Sequence, residues 1–173
     1  LFTSHRALRE AAKLLEEWTD YKLYVQGDQS KRALIDGFVE DDEALLLGTS
    51  SFWQGVDIQG DALSCVMIDK LPFASPGDPV MQSRLNALRT QGLNPFGTYQ
   101  IPQAVISLKQ GVGRLIRGAH DRGVLMIGDP RLKTKGYGKT FINSLPDARY
   151  TSDISEVTQF FKASAVKASA KKT

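Results

Sequence analysis

The sequence predicts an α/β fold: a mainly parallel, doubly wound sheet with helices on both faces. Three observations lead there. Apolar runs at 44–48, 64–68 and 123–127 continue without the alternation of a half-solvated strand, as strands do when both sheet faces are covered. Stretches of helical periodicity stand between them. Alternation of strand and helix in one chain is the pattern of a parallel sheet wound through crossover helices.

Each element has its own reason. Leu1, Phe2 and Thr3 read as the end of a buried strand, and Ser4 can cap the helix after it. Over 5–18, Leu8, Ala11, Ala12, Leu15 and Trp18 form a helical apolar stripe. Residues 22–25 make a short strand closed by Gln26, Gly27 and Asp28, and 30–39 a second helix with Ala33, Leu34 and Phe38 inward. The stretch 72–102 breaks the alternation with Pro72, Pro76, Pro79, Pro95 and Pro102 and with Gly77, Gly92 and Gly97; a polar helix at 80–89 carries Arg84 and Arg89. It reads as an excursion from the sheet, of the kind that carries contacts. One domain thus covers 1–150. A helix over 151–162 follows, with Ile154, Val157, Phe160 and Phe161 as an apolar patch. The remainder, 163–173, is Ala, Ser, Lys and little else, so disorder is expected there.

Composition narrows the partners only a little. The 173 residues suffice for one domain with a sizeable core. A net charge of +3 suits a polyanion without singling one out. The single Cys65 excludes an internal disulfide, and its apolar surroundings predict a buried, inert thiol. No apolar run approaches the ~18 residues of a membrane span, and no signal peptide opens the chain. Leu1 begins in mid-strand without an initiator Met, so a segment of a longer cytosolic protein is expected. His5 and His120 lack metal-ligand company, and no metal is assigned.

The chemistry concentrates in Gln110-Gly111-Val112-Gly113-Arg114-Leu115-Ile116-Arg117. As a helix it puts Gln110, Arg114 and Arg117 on one side, at i, i+4 and i+7. Leu108, Val112, Leu115 and Ala119 recur on the other. Gly111 and Gly113 each cost roughly 1 kcal/mol against Ala, which makes sense if something must approach the backbone closely. Guanidinium forks suit a triphosphate and the charge that develops on its transfer. On spacing alone, a solvated basic face explains the pattern equally well. Gly48-Thr49-Ser50-Ser51 offers hydroxyls and amides suited to phosphate oxygens, though an ordinary capped strand-to-helix turn is favoured on spacing. Phe52 and Trp53 point in different directions, so one is expected in the core while the other is placed to stack on a base. Lys70, before the stiff Leu71-Pro72-Phe73, is a candidate backbone contact. In Asp129-Pro130-Arg131, an Asp–Arg pair fixing the turn reads at least as well as a catalytic role. Gly136-Tyr137-Gly138-Lys139-Thr140 ends like a phosphate loop, but Lys133 stands where that loop needs its first Gly.

These stretches together resemble a known family. The octapeptide 110–117 is similar to motif VI (Q-x-x-G-R-x-x-R) of superfamily 2 helicases, and 48–60 to motif V. Residues 68–73 resemble the segment that follows it in the DinG/XPD branch, and 1–4 resemble motif IV. Four motifs in the right order over 1–145 identify the chain as similar to the second motor domain of that branch, in its YoaA-like group, with a RecA-like fold. The resemblance implies an ATP-dependent DNA helicase of 5′ to 3′ polarity, cytoplasmic, acting in DNA repair or rescue of stalled replication. It implies that Arg117, supported by Arg114 and Gln110, reaches the γ-phosphate. Gly55, Asp57 and Gly113 would face the nucleotide, and Ser4, Thr49, Ser50 and Lys70 the single-stranded DNA. Gln54 stands where relatives commonly carry Glu, and an amide cannot act as a carboxylate. ATP and Mg2+ would be bound mainly by a first motor domain, the other half of the cleft. In that family the phosphate loop, the Mg2+ ligands and any iron–sulfur cluster belong to the first domain and its insertions. This chain has no set of four cysteines, and no complete Walker A loop or Asp-Glu-x-His Mg2+-binding motif, and for want of the last two hydrolysis by it alone is not expected. The YoaA-like group is also associated with a small accessory subunit of the DNA polymerase III clamp loader, for which Phe160 and Phe161 are the candidate docking residues. Packing of that last helix on the sheet is the preferred alternative, and exposure of the two rings discriminates.

Overall fold

The computed structural model describes residues 1–49, 52, 58, 63–75, 77–113, 115 and 122–170, with backbone alone for 164–170. Helix α1 (His5–Trp18) starts where Ser4 Oγ accepts the Ala7 amide at 3.2 Å. Leu8 and Ala12 are buried. Trp18, expected on the same stripe, is 79% exposed. It sits on the last turn four residues after the exposed Leu14, so these two share a flank that turns away from the core. Strand β1 (Lys22–Val25) leads through Gly27, at φ 109°, to α2 (Lys31–Glu40), capped by Ser30. Leu34 and Phe38 face in; Ala33, expected with them, is exposed because the inward row is set by the four-residue spacing of those two. At Gly37 a Cβ would lie 2.5 Å from the Tyr24 ring, so only glycine lets the helix rest on that side chain.

Strand β2 (Ala44–Leu47) pairs in parallel with β1, Lys22 opposite Ala44 and Val25 opposite Leu47. Strand β3 (Cys65–Ile68) pairs in parallel with β4 (Val124–Ile127), Cys65 opposite Val124. The stretch Leu1–Phe2 runs between the two pairs. Phe2 bridges Thr49 in parallel and donates to the Gly48 carbonyl at 2.9 Å, while Leu1 accepts the Asp69 amide at 3.0 Å. The described strands are four residues each, and parallel throughout.

Side-chain alternation sorts the helices. Leu23, Val25, Leu45 and Leu47 pack with Leu8 and Ala12 of α1, whereas Tyr24, Ala44 and Leu46 pack with Leu34 and Phe38 of α2. The first pair is therefore covered on both faces. The largest described cluster lies under the second pair: Val66, Ile68, Leu71, Ala104, Leu108, Val112, Leu115, Leu132 and Phe141. Met67, on the opposite face of β3, is 56% exposed, although the apolar run predicts cover on both sides. Each large side chain fully buried here is worth roughly 1.5–3 kcal/mol.

The excursion begins from this core. Asp78 caps α3 (Pro79–Thr90), of which only Leu85 is buried. A π-helical turn (Phe96–Gln100) enters α4 (Ile101–Val112). The reason is Pro102, which has no N–H and whose ring would clash with the carbonyl four residues back; the wider turn relieves both. Phe73 and Phe96 stack, Tyr137 meets both edge to face, and Phe141 meets Phe73 and Tyr137 likewise, all at 5.2–6.2 Å. Arg131 lies over Phe73, and together these contacts tie the excursion to the short helices α5 (Arg131–Thr134) and α6 (Gly138–Ser144). Helix α7 (Ile154–Ala170) extends through most of the tail expected to be disordered. Ala and Lys, which build no core, are strong helix formers.

Candidate nucleic-acid and nucleotide interface

Ligands of open α/β sheets bind beyond the carboxyl ends of the strands. At that edge Thr49 follows β2, Ser4 follows the Leu1–Phe2 stretch and Lys70 follows β3, so three residues expected at DNA fall on adjacent strand ends. One carboxylate lies beside two of them: Asp69 Oδ1 accepts the amide of Thr3, the residue before Ser4, at 3.1 Å and that of Lys70 at 2.7 Å. The Lys70 side chain is left exposed. The Ser4 hydroxyl accepts its cap bond and still has a proton to donate.

Thr49 differs. It is only 5% exposed, and both its amide (2.7 Å) and its hydroxyl (3.0 Å) donate to Gln26 Oε1. The hydroxyl proton expected at a phosphate is engaged inside the protein. Gln26 supplies the acceptor from the end of β1, a role the sequence does not reveal; its place before the left-handed Gly27 marks a rigid turn but not a partner.

The first half of α1 is a second addition to the expected site. His5, Arg6, Arg9 and Lys13, with Glu10, form an exposed, mainly basic face of the helix. Arg6 pairs with Glu10 at 3.1 Å, both side chains largely exposed, so the pair contributes little. The first turn holds no acid and the last no base, while Glu16 and Glu17 lie near the carboxyl end. A helix dipole favours the reverse order. Departure from a local preference is a signal of function, and this one is legible in the sequence.

Asp129, 4% exposed, closes β4. Its oxygens accept the Leu71 amide (2.8 Å), the Arg131 amide (2.9 Å) and the Arg131 guanidinium (2.6–3.0 Å). Burial pushes this carboxyl up, but the Arg131 side chain and the two amides outweigh it and hold the carboxyl below its ordinary value. Arg131 also lies 5.3 Å over the Phe73 ring. The geometry is that of a pair fixing a turn.

The helix carrying Gln110 ends sooner than its spacing suggests. Helix α4 stops at Val112, and Gly113 caps it by donating to the Lys109 carbonyl at 2.8 Å. Two glycines in four residues weaken helix propagation there. Leu108, Val112 and Leu115 are buried as expected, and Gln110 is exposed on the opposite side. Arg114, Arg117, Ala119, Ser50, Trp53, Gln54, Gly55 and Asp57 lie outside the described residues. Phe52 is the core partner of its aromatic pair.

The model of the helicase C-terminal domain family matches residues 1–148. The chain belongs to that family. It is 51% identical over 160 residues to the ATP-dependent DNA helicase YoaA of Escherichia coli (strain K12), covering 92% of this chain and 25% of that protein. YoaA of Haemophilus influenzae is 48% identical over 162 residues, covering 94% and 25%. The 3'-5' exonuclease DinG of Bacillus subtilis (strain 168) is 42% identical over 163 residues, covering 91% and 17%. This helicase C-terminal domain thus spans a quarter or less of the length of these relatives. A solved XPD helicase superposes with a TM-score of 0.60 at 18% identity, over 82% of this chain and 26% of that one, a likeness of α/β fold.

Other features of the domain are structural. At Gly138 a Cβ would come within 2.0 Å of the Leu132 carbonyl, so the segment resembling a phosphate loop needs its glycine to pack α6 on α5. Lys139 and Thr140 are exposed on that helix. Cys65 is half-buried, and burial raises its thiol above the usual value, keeping it protonated. Phe160 and Phe161 are half-buried and meet edge to face at 5.5 Å, with Arg122 5.2 Å over Phe160. Among the described residues no three His, Cys, Asp or Glu side chains gather as a metal site, and no helix is long and apolar enough to cross a membrane.

Proposed function

We propose that this chain is the second motor domain of an ATP-dependent DNA helicase, with its sheet as the RecA-like, doubly wound half of a two-domain ATP cleft. The observation that carries the reading is the carboxyl edge, where Asp69 holds the amides of Thr3, the residue before Ser4, and of Lys70 next to the basic face of α1. A row of cations and a hydroxyl along strand ends is suited to a phosphate backbone. Arg117 is the arginine finger, Arg114 and Gln110 support it, and Gly55, Asp57 and Gly113 lie toward the nucleotide. ATP and Mg2+ are held mainly by the first motor domain, whose Walker A loop this chain lacks. The setting is DNA repair or replication-fork rescue, with 5′ to 3′ movement. Docking of a clamp-loader subunit at α7 has weaker support, because Phe160 is already engaged by Arg122, although Ile154 is 63% exposed.

The test is ATP turnover by the full-length protein with and without single-stranded DNA, in wild type and Arg117→Ala. Loss of about a thousandfold in kcat, with nucleotide binding retained, is expected of a finger residue. Near-normal DNA-stimulated turnover in the variant would sink the assignment. The track is tested by Arg9→Ala/Lys13→Ala: removing each cation that neutralises a phosphate should reduce the slope of log affinity against log salt by about 0.7.

A further inference from the structure

We infer that Gln26 is a positioning residue for DNA binding: from the turn after β1 it clamps the segment beginning at Thr49, and Lys31 adds a second hold on the same segment. This rests on the helicase reading above and deepens it. Gln26 extends the β1–β2 ladder one residue beyond the strand, donating its amide to the Leu47 carbonyl at 2.9 Å. That bond fixes its backbone opposite the end of β2. Its side-chain oxygen then takes both Thr49 donors. Thr49 in turn accepts the Phe52 amide at 2.9 Å, and Phe52 is buried. The Lys31 ammonium, at the start of α2, stands 5.2 Å over the Phe52 ring. One short turn, shaped by Gly27 and capped by Ser30, therefore grips the segment after β2 at two points.

The chemistry of position 26 is restrictive. An amide oxygen can accept two donors without carrying a charge into a part-buried site. An aliphatic side chain of similar size would fill the space but remove the acceptor that both Thr49 donors share. The grip comes from a different strand, so displacement of the β1–α2 turn moves the Thr49 segment with it. Gln26 touches neither nucleotide nor DNA in this role; it acts through Thr49.

The experiment uses the full-length helicase. Gln26→Leu, Thr49→Val and the double variant are compared for the single-stranded DNA concentration that half-stimulates ATP turnover, for basal turnover without DNA, and for melting temperature. Gln26→Leu is expected to raise the half-stimulating concentration about tenfold, the order of one buried hydrogen bond left unmade, with basal turnover within about twofold. Thr49→Val should add less in the Gln26→Leu background than in wild type, as groups in one network do. If Gln26→Leu does not fold, Gln26→Asn, which keeps the amide but falls short of Thr49, should shift the DNA response the same way. A lowered melting temperature with an unchanged DNA response would overturn the proposal, as would strictly additive effects. Absence of any DNA stimulation in the wild type is a separate result: the helicase reading fails, and the role of Gln26 falls with it.

Discussion

Two strand ends are closed by a buried polar side chain, Thr49 after β2 and Asp129 after β4, and they are closed in opposite ways. Asp129 is held by its own loop: Arg131, two residues on, neutralises it, and the Leu71 amide ties the loop to the end of β3. Thr49 is held from outside, by an uncharged amide on a neighbouring strand. The charged closure is self-contained, whereas the neutral one depends on a second element. A loop that must stay fixed can carry its own counter-ion. A loop that must respond to its neighbours is better held by them. The cover of the sheet runs in parallel: helices pack on both faces of β1–β2, while the described core lies on one face of β3–β4 and Met67 stands exposed on the other.

The contrast is broken most strongly at Asp129. Asp129→Ala leaves the Leu71 amide and Arg131 without their acceptor. About 2–3 kcal/mol of stability should be lost, at or below the lower end for breaking a buried pair, because the Arg131 side chain is 39% exposed and can rehydrate. Denaturant unfolding of wild type and variant measures this, and a change under about 0.5 kcal/mol would show the charged closure to be dispensable. Thr49→Val removes one donor and keeps the shape. It should cost about 1 kcal/mol in the same assay, and a loss equal to that of Asp129→Ala would erase the distinction.

The smallest expected effect sharpens the comparison through pH. The Asp129 carboxyl is held below its unfolded value, so the folded state favours the ionised form. Its stabilisation is fully present above the unfolded pKa of about 3.9 and is lost as pH falls through the folded pKa. Asp129→Asn should therefore flatten the acid limb of the stability curve, while Thr49→Val, which removes no titrating group, should leave its shape unchanged. Equal acid limbs in wild type and Asp129→Asn would contradict the assigned shift.

How much of this is legible in the sequence depends on the range of the interaction. The helix over 5–18, the strand at 22–25 and the Ser4 cap are local patterns, and the structure has them where periodicity and capping chemistry put them. The Asp129–Arg131 turn is readable because its partners are two residues apart. The end of α4 at Gly113 is not, because periodicity continues past the glycines that stop the helix. Trp18 departs from its expected place because it lies with Leu14 on the flank of the stripe, and a stripe does not say how wide the core beneath it is. Gln26 is invisible because its partner lies 23 residues away.

By itself the sequence determined the α/β class, the family and the residues to test. Apolar runs, caps and ordered motifs act over a few residues and are written in the chain. Tertiary structure alone decided that Leu1–Phe2 joins the two strand pairs, that Thr49 turns inward to Gln26, and that Thr3 and Lys70 share Asp69. Hydrogen bonds between strand ends depend on register and lateral order, which pairing in space sets and local pattern does not.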